Sequence, residues 1–240
     1  MNAPGILLKG SVAIDDEPLI PQIKLTAAAG QWTCLLGASG VGKSTILRLI
    51  SGIADEATLT GTLTTSDGAP LAGRVALMAQ SDLLLPWLTV AQNVMLGARL
   101  RGAVPDTRRA AELLDDVGLS AHADKRPATL SGGQRQRAAL ARTLMEDRPI
   151  VLLDEPFSAL DARTRAQVQD LTAQLLRGKT VLMVTHDPAE AARLSDVILI
   201  LGPDGLRARP APPGAPPRAV DDAQTLSAQG ALLAELRAGP

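Results

Sequence analysis

Three stretches of this sequence carry residues whose types and spacing suit work on a phosphate anhydride. Gly37 to Thr45 reads GASGVGKST, the pattern G-x-x-x-x-G-K-[ST], directly after the apolar run WTCLLG and directly before the apolar-periodic STILRLISGI. In such a strand-to-helix turn the glycines let successive amides, here those of Gly37, Ala38, Ser39, Gly40, Val41, Gly42 and onward through Thr45, curl around phosphates. Lys43 can reach the β and γ oxygens and the Ser44 hydroxyl can ligate Mg2+, so the chemistry read from this loop is nucleotide binding. The second stretch, IVLLDE (Ile150 to Glu155), is an apolar strand ending in two acids. Asp154 can hold the metal directly or through water, while Glu155 is placed to polarise an attacking water. The third, VTHDP, ends a strand at His186. Asp187 can cap the next helix and Pro188 fits its first turn, which leaves His186 to meet a γ-phosphate or order the water.

A fourth stretch looks at first like a redundant phosphate site. Leu130 to Arg137 reads LSGGQRQR. Ser131 can cap a helix whose first turn Gly132 and Gly133 keep bare, followed by Gln134. Free amides and the positive end of the helix dipole then point outward at an anion.

The elements that must position these residues read as α/β. Short apolar runs bounded by turn residues alternate with helical patterns, which predicts a mostly parallel sheet flanked by helices, with ligands beyond the carboxyl ends of its strands. The endings of WTCLLG, IVLLDE and TVLMVTH (Thr180 to His186) should therefore meet in one crevice. The first thirty residues and Thr58 to Val75 are rich in Thr, Gly and Pro with weak alternation, and predict an antiparallel β side sheet. From about 82 to 147 the pattern turns helical, as in TRRAAELLDDVG with its glycine stop, and predicts an inserted helical subdomain within a domain spanning 1–202. The proline-crowded 203–220 reads as a linker and 221–240 as a short C-terminal helix.

Composition narrows the partners. Lysine plus arginine number 24 against 25 acids, a net charge of -1, so no global field attracts nucleic acid. The lone Cys34 sits in an apolar run, reads as a core residue and suits a reducing compartment. No charged and apolar leader opens the sequence, so no secretion signal is expected. The longest apolar runs fall far short of the roughly 18 residues of a spanning helix.

Taken together, the motifs resemble those of the nucleotide-binding subunits of ATP-binding cassette (ABC) transporters. GASGVGKST is similar to their Walker A loop, Gln80 in ALMAQSD to the Q-loop glutamine, LSGGQRQR to the family signature, IVLLDE to Walker B, SALD (Ser158 to Asp161) to the D-loop and VTHD to the histidine switch. The resemblance implies a P-loop NTPase core with the side sheet and helical subdomain described above. It implies ATP and Mg2+ as ligands, with Ser44, Gln80 and Asp154 at the metal and Glu155, His186 and Gln80 in catalysis. It also implies a head-to-tail pair of chains, in which Ser131, Gly132, Gly133 and Gln134 of one copy face the nucleotide held by the other and Asp161 is a dimer contact.

The same resemblance implies a place on the cytoplasmic side of a bacterial inner membrane, bound to a permease and acting indirectly with a periplasmic solute-binding protein. The apolar patch Leu83, Leu84, Leu85, Trp87 and Leu88 would dock the permease. The LLPW-LTV-NV pattern is similar to importers of nitrate, sulfonate and taurine, and DGAPLAGRVALMAQSDLLLPW to a branch taking up hydroxymethylpyrimidine-type thiamine precursors. An exporter ATPase, or a cassette ATPase acting on DNA or ribosomes, are the alternatives; the neutral charge disfavours the latter. One feature departs from the family: there is no Tyr, and nothing between Met1 and Gln31 is aromatic. Adenine must then lean on aliphatic side chains.

Overall fold

Apolar runs with no polar alternation become strands buried on both faces, and these form the middle of the molecule. The computed structural model describes residues 3–54, 56–202 and 205–238. Its larger sheet runs in the order β5 (Val75–Met78), β6 (Ile150–Asp154), β7 (Thr180–Thr185), β3 (Trp32–Leu36), β8 (Val197–Gly202) and β9 (Gly205–Pro210). All neighbours are parallel except β8 and β9. Every residue of β3, β6 and β7 is buried. The register decides where the chemistry emerges. Leu36 lies opposite Thr185 and Asp154 opposite Val184, so the next residues along, Gly37, Glu155 and His186, leave the sheet side by side.

The two faces of this sheet serve two cores. On one, Leu35, Leu152 and Leu182 pack with Ile46, Leu47 and Ile50 of α1 (Lys43–Ser51) and with a three-stranded antiparallel sheet. That side sheet has the order β2 (Glu17–Ala27), β1 (Ile6–Ile14), β4 (Ala57–Thr65), as the Thr-rich, weakly alternating segments lead one to expect. On the other face, Cys34, Leu36, Leu153 and Met183 meet the helices.

The helical subdomain comprises α2 (Val90–Val94), α3 (Leu96–Leu100), α4 (Thr107–Asp116) and α5 (Gly132–Met145). Leu113 and Leu114 of α4 face Ala138, Leu140 and Ala141 of α5, and Gly118 stops the α4 segment at φ 66°. The Asn93 side chain, fully buried, shapes the loop ahead of α2: its Oδ1 accepts from Leu85 N at 2.8 Å and its Nδ2 donates to the carbonyls of Leu85 and Thr89 at 3.2 and 3.0 Å. The apolar patch is thereby sorted. Leu84 turns into the core, whereas Leu83 and Trp87 stand 61% and 66% exposed.

The carboxyl-terminal part corrects the sequence reading. The segment expected as a linker from 203 begins with β9, an antiparallel edge strand on β8; Pro203 lies outside the described residues. An edge strand tolerates this composition because Pro210 sits at its end, where a missing amide breaks no inner ladder. Beyond it, Arg218 is buried and its guanidinium donates to the carbonyls of Ala192 and Ser195, both at 2.9 Å, closing the carboxyl end of α7 (Pro188–Leu194). Helix α8 (Ala223–Ala238) lies against α7, inserts Leu232 into the core, and pairs Glu235 with Arg209 of β9. Burying one leucine contributes roughly 1.5–3 kcal/mol. No helix among the described residues is long and apolar enough to cross a membrane.

Candidate functional site

The loop between β3 and α1 closes on itself around its lysine. Lys43 is 4% exposed, and its Nζ donates to the carbonyls of Gly37 at 2.9 Å and Ala38 at 2.7 Å. Burial draws its pKa down, opposed by the charges of Glu155 and Asp154. Gly42 sits at φ 101° before the helix, and a Cβ there would meet Leu19 Cδ2 at 2.9 Å. Only glycine fits that corner without strain. The resulting cavity, of about 250 Å³, is lined by Ile14, Leu19, Gly42, Lys43, Gln80 and Glu155. Ile14 and Leu19 are its aliphatic walls, in keeping with the lack of an upstream aromatic.

Next to the loop, Ser44 Oγ donates to Asp154 Oδ1 at 3.0 Å. Asp154 is 6% exposed; burial raises its pKa and the Ser44 hydroxyl opposes the rise. Two oxygens at this separation suit one small hard cation, because adjacent ligands of an octahedral Mg2+ at about 2.1 Å lie about 3 Å apart. Gln80 lines the same cavity as Ser44.

Glu155 is where three distant parts of the sequence meet. Its backbone takes φ 47°, a left-handed conformation that costs a non-glycine residue about 1–3 kcal/mol. Its amide donates to Val184 O at 2.9 Å. The carboxylate is engaged from both sides: Gln80 Nε2 donates to Oε2 at 3.3 Å, and His186 Nδ1 lies 3.1 Å from Oε1. His186 itself is half-exposed. Behind it, Asp187 caps α7 by accepting from Ala189 N at 2.8 Å, as its place before Pro188 implied.

The LSGGQRQR stretch lies elsewhere on the chain. Ser131 caps α5 with a full capping box: its Oγ accepts from Gln134 N at 3.2 Å, and Gln134 Oε1 accepts from Ser131 N at 2.9 Å. Gly132 has no heavy atom nearer than 3.9 Å to where its Cβ would be, so this turn is open toward solvent. Among the described residues, no hydrogen bond or ion pair joins Ser131–Gln134 to Gly37–Thr45. Asp161 caps α6 (Ala162–Leu175) by accepting from Thr164 N at 3.1 Å, and that amide holds its carboxyl below the usual range.

Three residues were not singled out by their place in the sequence. His122 has Nε2 only 3.0 Å from Gln134 Nε2, and its Nδ1 is buried without a hydrogen-bond partner among the described residues. Arg142 donates to the carbonyls of Asp82 and Leu83 at 2.7 and 2.8 Å, anchoring the segment after Gln80 to α5. Gln136 is 6% exposed and ties α5 to the turn after Glu155. It lies within the LSGGQRQR stretch, but no role was read for it there, because a glutamine on a helix reads as a solvated face.

Comparison with known proteins follows the geometry. A family profile described as ABC transporter matches residues 20–158. An uncharacterized ABC transporter ATP-binding protein of Haemophilus influenzae is 45% identical over 233 residues, spanning 94% of this chain and 95% of the relative. An aliphatic sulfonates import ATP-binding protein of Rhodococcus jostii is 44% identical over 220 residues, spanning 91% of this chain and 87% of the relative. Among solved structures, a dimeric ATP-binding cassette in a post-hydrolysis state bound to ADP and Pi superposes with a TM-score of 0.73 at 30% identity, covering 90% of this chain and 99% of that one.

Proposed function

The chain belongs to the ABC transporter ATP-binding family, and from that premise we propose that it is the hydrolysing subunit of a bacterial importer, working as a head-to-tail pair bound to an inner-membrane permease. ATP binding and hydrolysis follow from the family and from its cassette structures. The observation that carries the assignment of roles is the placement of Glu155 between Gln80 and His186 at the mouth of the loop that holds Lys43 and Ser44. Each role below is the reading that this geometry supports.

Lys43 and the amides from Gly37 to Thr45 bind the phosphates. Ser44, Asp154 and Gln80 would hold Mg2+, which when bound neutralises charge on the phosphate oxygens. Glu155 takes the proton of a water whose oxygen attacks the γ-phosphorus, while the bond from that phosphorus to the bridging oxygen breaks and ADP leaves. His186 steadies the γ-phosphate. Ser131, Gly132, Gly133 and Gln134 serve the partner copy's nucleotide, a reading supported by the open first turn of α5 and by the lack, among the described residues, of any hydrogen bond or ion pair between it and the home loop. Asp161 lies at the pair's contact.

The permease side is read from Leu83 and Trp87, two large apolar side chains presented to solvent, of which Leu83 lines a cavity of about 540 Å³ together with Gln80. We read this exposed pair as the docking surface. For cargo, the named relatives favour a small organic anion of the aliphatic sulfonate class. A hydroxymethylpyrimidine-type cargo draws support only from the sequence likeness noted above. A periplasmic binding protein would deliver either one, since no residue of this chain should touch the solute.

The test is a pair of substitutions. With Glu155→Gln, ATP binding persists, hydrolysis collapses and a dimer is prolonged in ATP on size-exclusion chromatography. With Ser131→Arg, hydrolysis is lost while a fluorescent ATP analogue still binds. Turnover near wild type in Glu155→Gln, or loss of binding in Ser131→Arg, overturns the assignment of the two sites.

A further inference from the structure

Gln136 sits two residues past Gln134 within the LSGGQRQR stretch, buried on α5, and its carboxamide donates twice and accepts once. Nε2 donates to Glu155 O at 3.0 Å and to Ser158 Oγ at 3.3 Å, while Oε1 accepts from Ala159 N at 2.9 Å. Ser158 Oγ in turn donates to Glu155 O at 3.1 Å. All three contacts fall on the turn that begins with the left-handed Glu155. Such a conformation lasts only where its surroundings dictate it, and here one buried amide from another element dictates it.

The first turn of α5 presses on the same segment. A Cβ on Gly133 would meet Ala159 O at 3.2 Å and Leu160 Cδ2 at 3.3 Å, so the helix backbone lies directly against this turn with no room for a side chain between them. In the head-to-tail pair, on which this inference rests, the first turn of α5 serves the partner's nucleotide whereas Glu155 serves the chain's own. One end of a rigid joint therefore reports on one ATP and the other end holds the base for the second.

We propose that Gln136 is a positioning residue for Glu155 and the link through which occupancy of one composite site sets the base of the other. It touches no nucleotide. It fixes the Glu155 carbonyl, and through it the direction in which the carboxylate leaves the chain; movement of α5 when the partner's γ-phosphate departs is passed along the same three hydrogen bonds.

The joint is tested with Gln136→Met, which keeps length and packing but removes donors and acceptor. Expected is a fall in kcat on the order of tenfold to a hundredfold, the usual consequence of a slightly misplaced catalytic group, with the KM for ATP little changed and the Hill coefficient for ATP lowered toward one. Ser158→Ala removes a single exposed leg, gives a smaller fall, and is less than additive with Gln136→Met. A KM change that accounts for the loss, or an unchanged Hill coefficient, overturns the proposal. Should Gln136→Met not fold, Ser158→Ala carries the same kcat and Hill tests.

Mixed dimers separate this idea from the dimer reading beneath it. Two differently tagged chains are paired, one carrying Glu155→Gln so that a single site turns over. Gln136→Met placed on the chain with the intact base should reduce that turnover several times more than the same change on the Glu155→Gln chain; a loss as large or larger on the Glu155→Gln chain means that Gln136 acts through the signature turn it carries, and the positioning role is lost. Separately, Lys43→Ala chains mixed with Ser131→Arg chains should regain activity through one whole composite site. Failure of that complementation alone would sink the head-to-tail arrangement.

Discussion

Replacing Glu190 by Gln tests whether a carboxyl is held neutral behind the histidine loop. Glu190 is 3% exposed, and its Oε2 accepts from Thr185 Oγ1 at 2.7 Å, while Thr185 Oγ1 accepts from Asp187 N at 3.0 Å. Burial pushes its pKa from the ordinary 4.5 up to about 7; the Thr185 hydroxyl opposes the rise, the Asp187 charge adds to it, and Arg165 and His186 oppose it. Between those two values the folded chain keeps a proton that the unfolded chain has released. Stability from this group is therefore greatest at low pH and falls as pH climbs through that window, by about 1.4 kcal/mol per pH unit, then levels off. Over the window from 4.5 to about 7 the loss reaches about 3 kcal/mol.

Gln is neutral at every pH and still offers Thr185 an acceptor, so Glu190→Gln escapes this loss. Urea unfolding of both proteins from about pH 5 to about pH 8 should show the variant gaining about 2.5 kcal/mol on the wild type across the series. Curves that run parallel over that range refute the reasoning, because Glu190 would then titrate alike in the folded and unfolded chains.

Other outcomes follow from the same geometry. Arg218→Ala leaves the buried carbonyls of Ala192 and Ser195 without their charged donor, and should cost about 2–4 kcal/mol in thermal or urea unfolding; an unchanged midpoint means that the carboxyl end of α7 does not depend on it. With Ile14 and Leu19 in place of a stacking ring, discrimination should be modest: GTP should compete with ATP within about tenfold, since base stacking is worth about 1–3 kcal/mol. A strong ATP preference in equilibrium competition goes against the aliphatic base site. Gly42→Ala combines a φ of 101° with a contact on Leu19, and should abolish measurable nucleotide binding while the far-UV circular dichroism stays native.

What could be read from the sequence was what short stretches encode by themselves. Lys43 and its glycines announce a phosphate loop because the turn, the amides and the helix start all lie within nine residues, and Ser131 with Gln134 announces a helix start for the same reason. The meeting of Gln80, Glu155 and His186 could be expected only in outline. It depends on β5, β6 and β7 lying side by side, a fact of sheet order that the alternation of strands and helices does not contain. The role of Gln136, though the residue lies within LSGGQRQR, could not be read because its backbone partners lie 19 and 23 residues away in the chain, and hydrogen bonds to backbone leave no compositional trace. The strand β9 was hidden by its prolines, which argue against an inner strand and are silent about an edge.

The double hold on the Glu155 carboxylate bears on what the chain does when it has nothing to transport. A carboxylate with one oxygen against Gln80 and the other against His186 has no oxygen directed solely at water. With Glu155 as the proposed base, idle turnover would be governed by how often those two side chains let go, and Gln80 lines one cavity with the exposed Leu83. On the proposed docking, a partner pressing there would act as a throttle: futile hydrolysis should stay slow in the free subunit, and the leak rate, measured with and without permease, would gauge the grip on one glutamate.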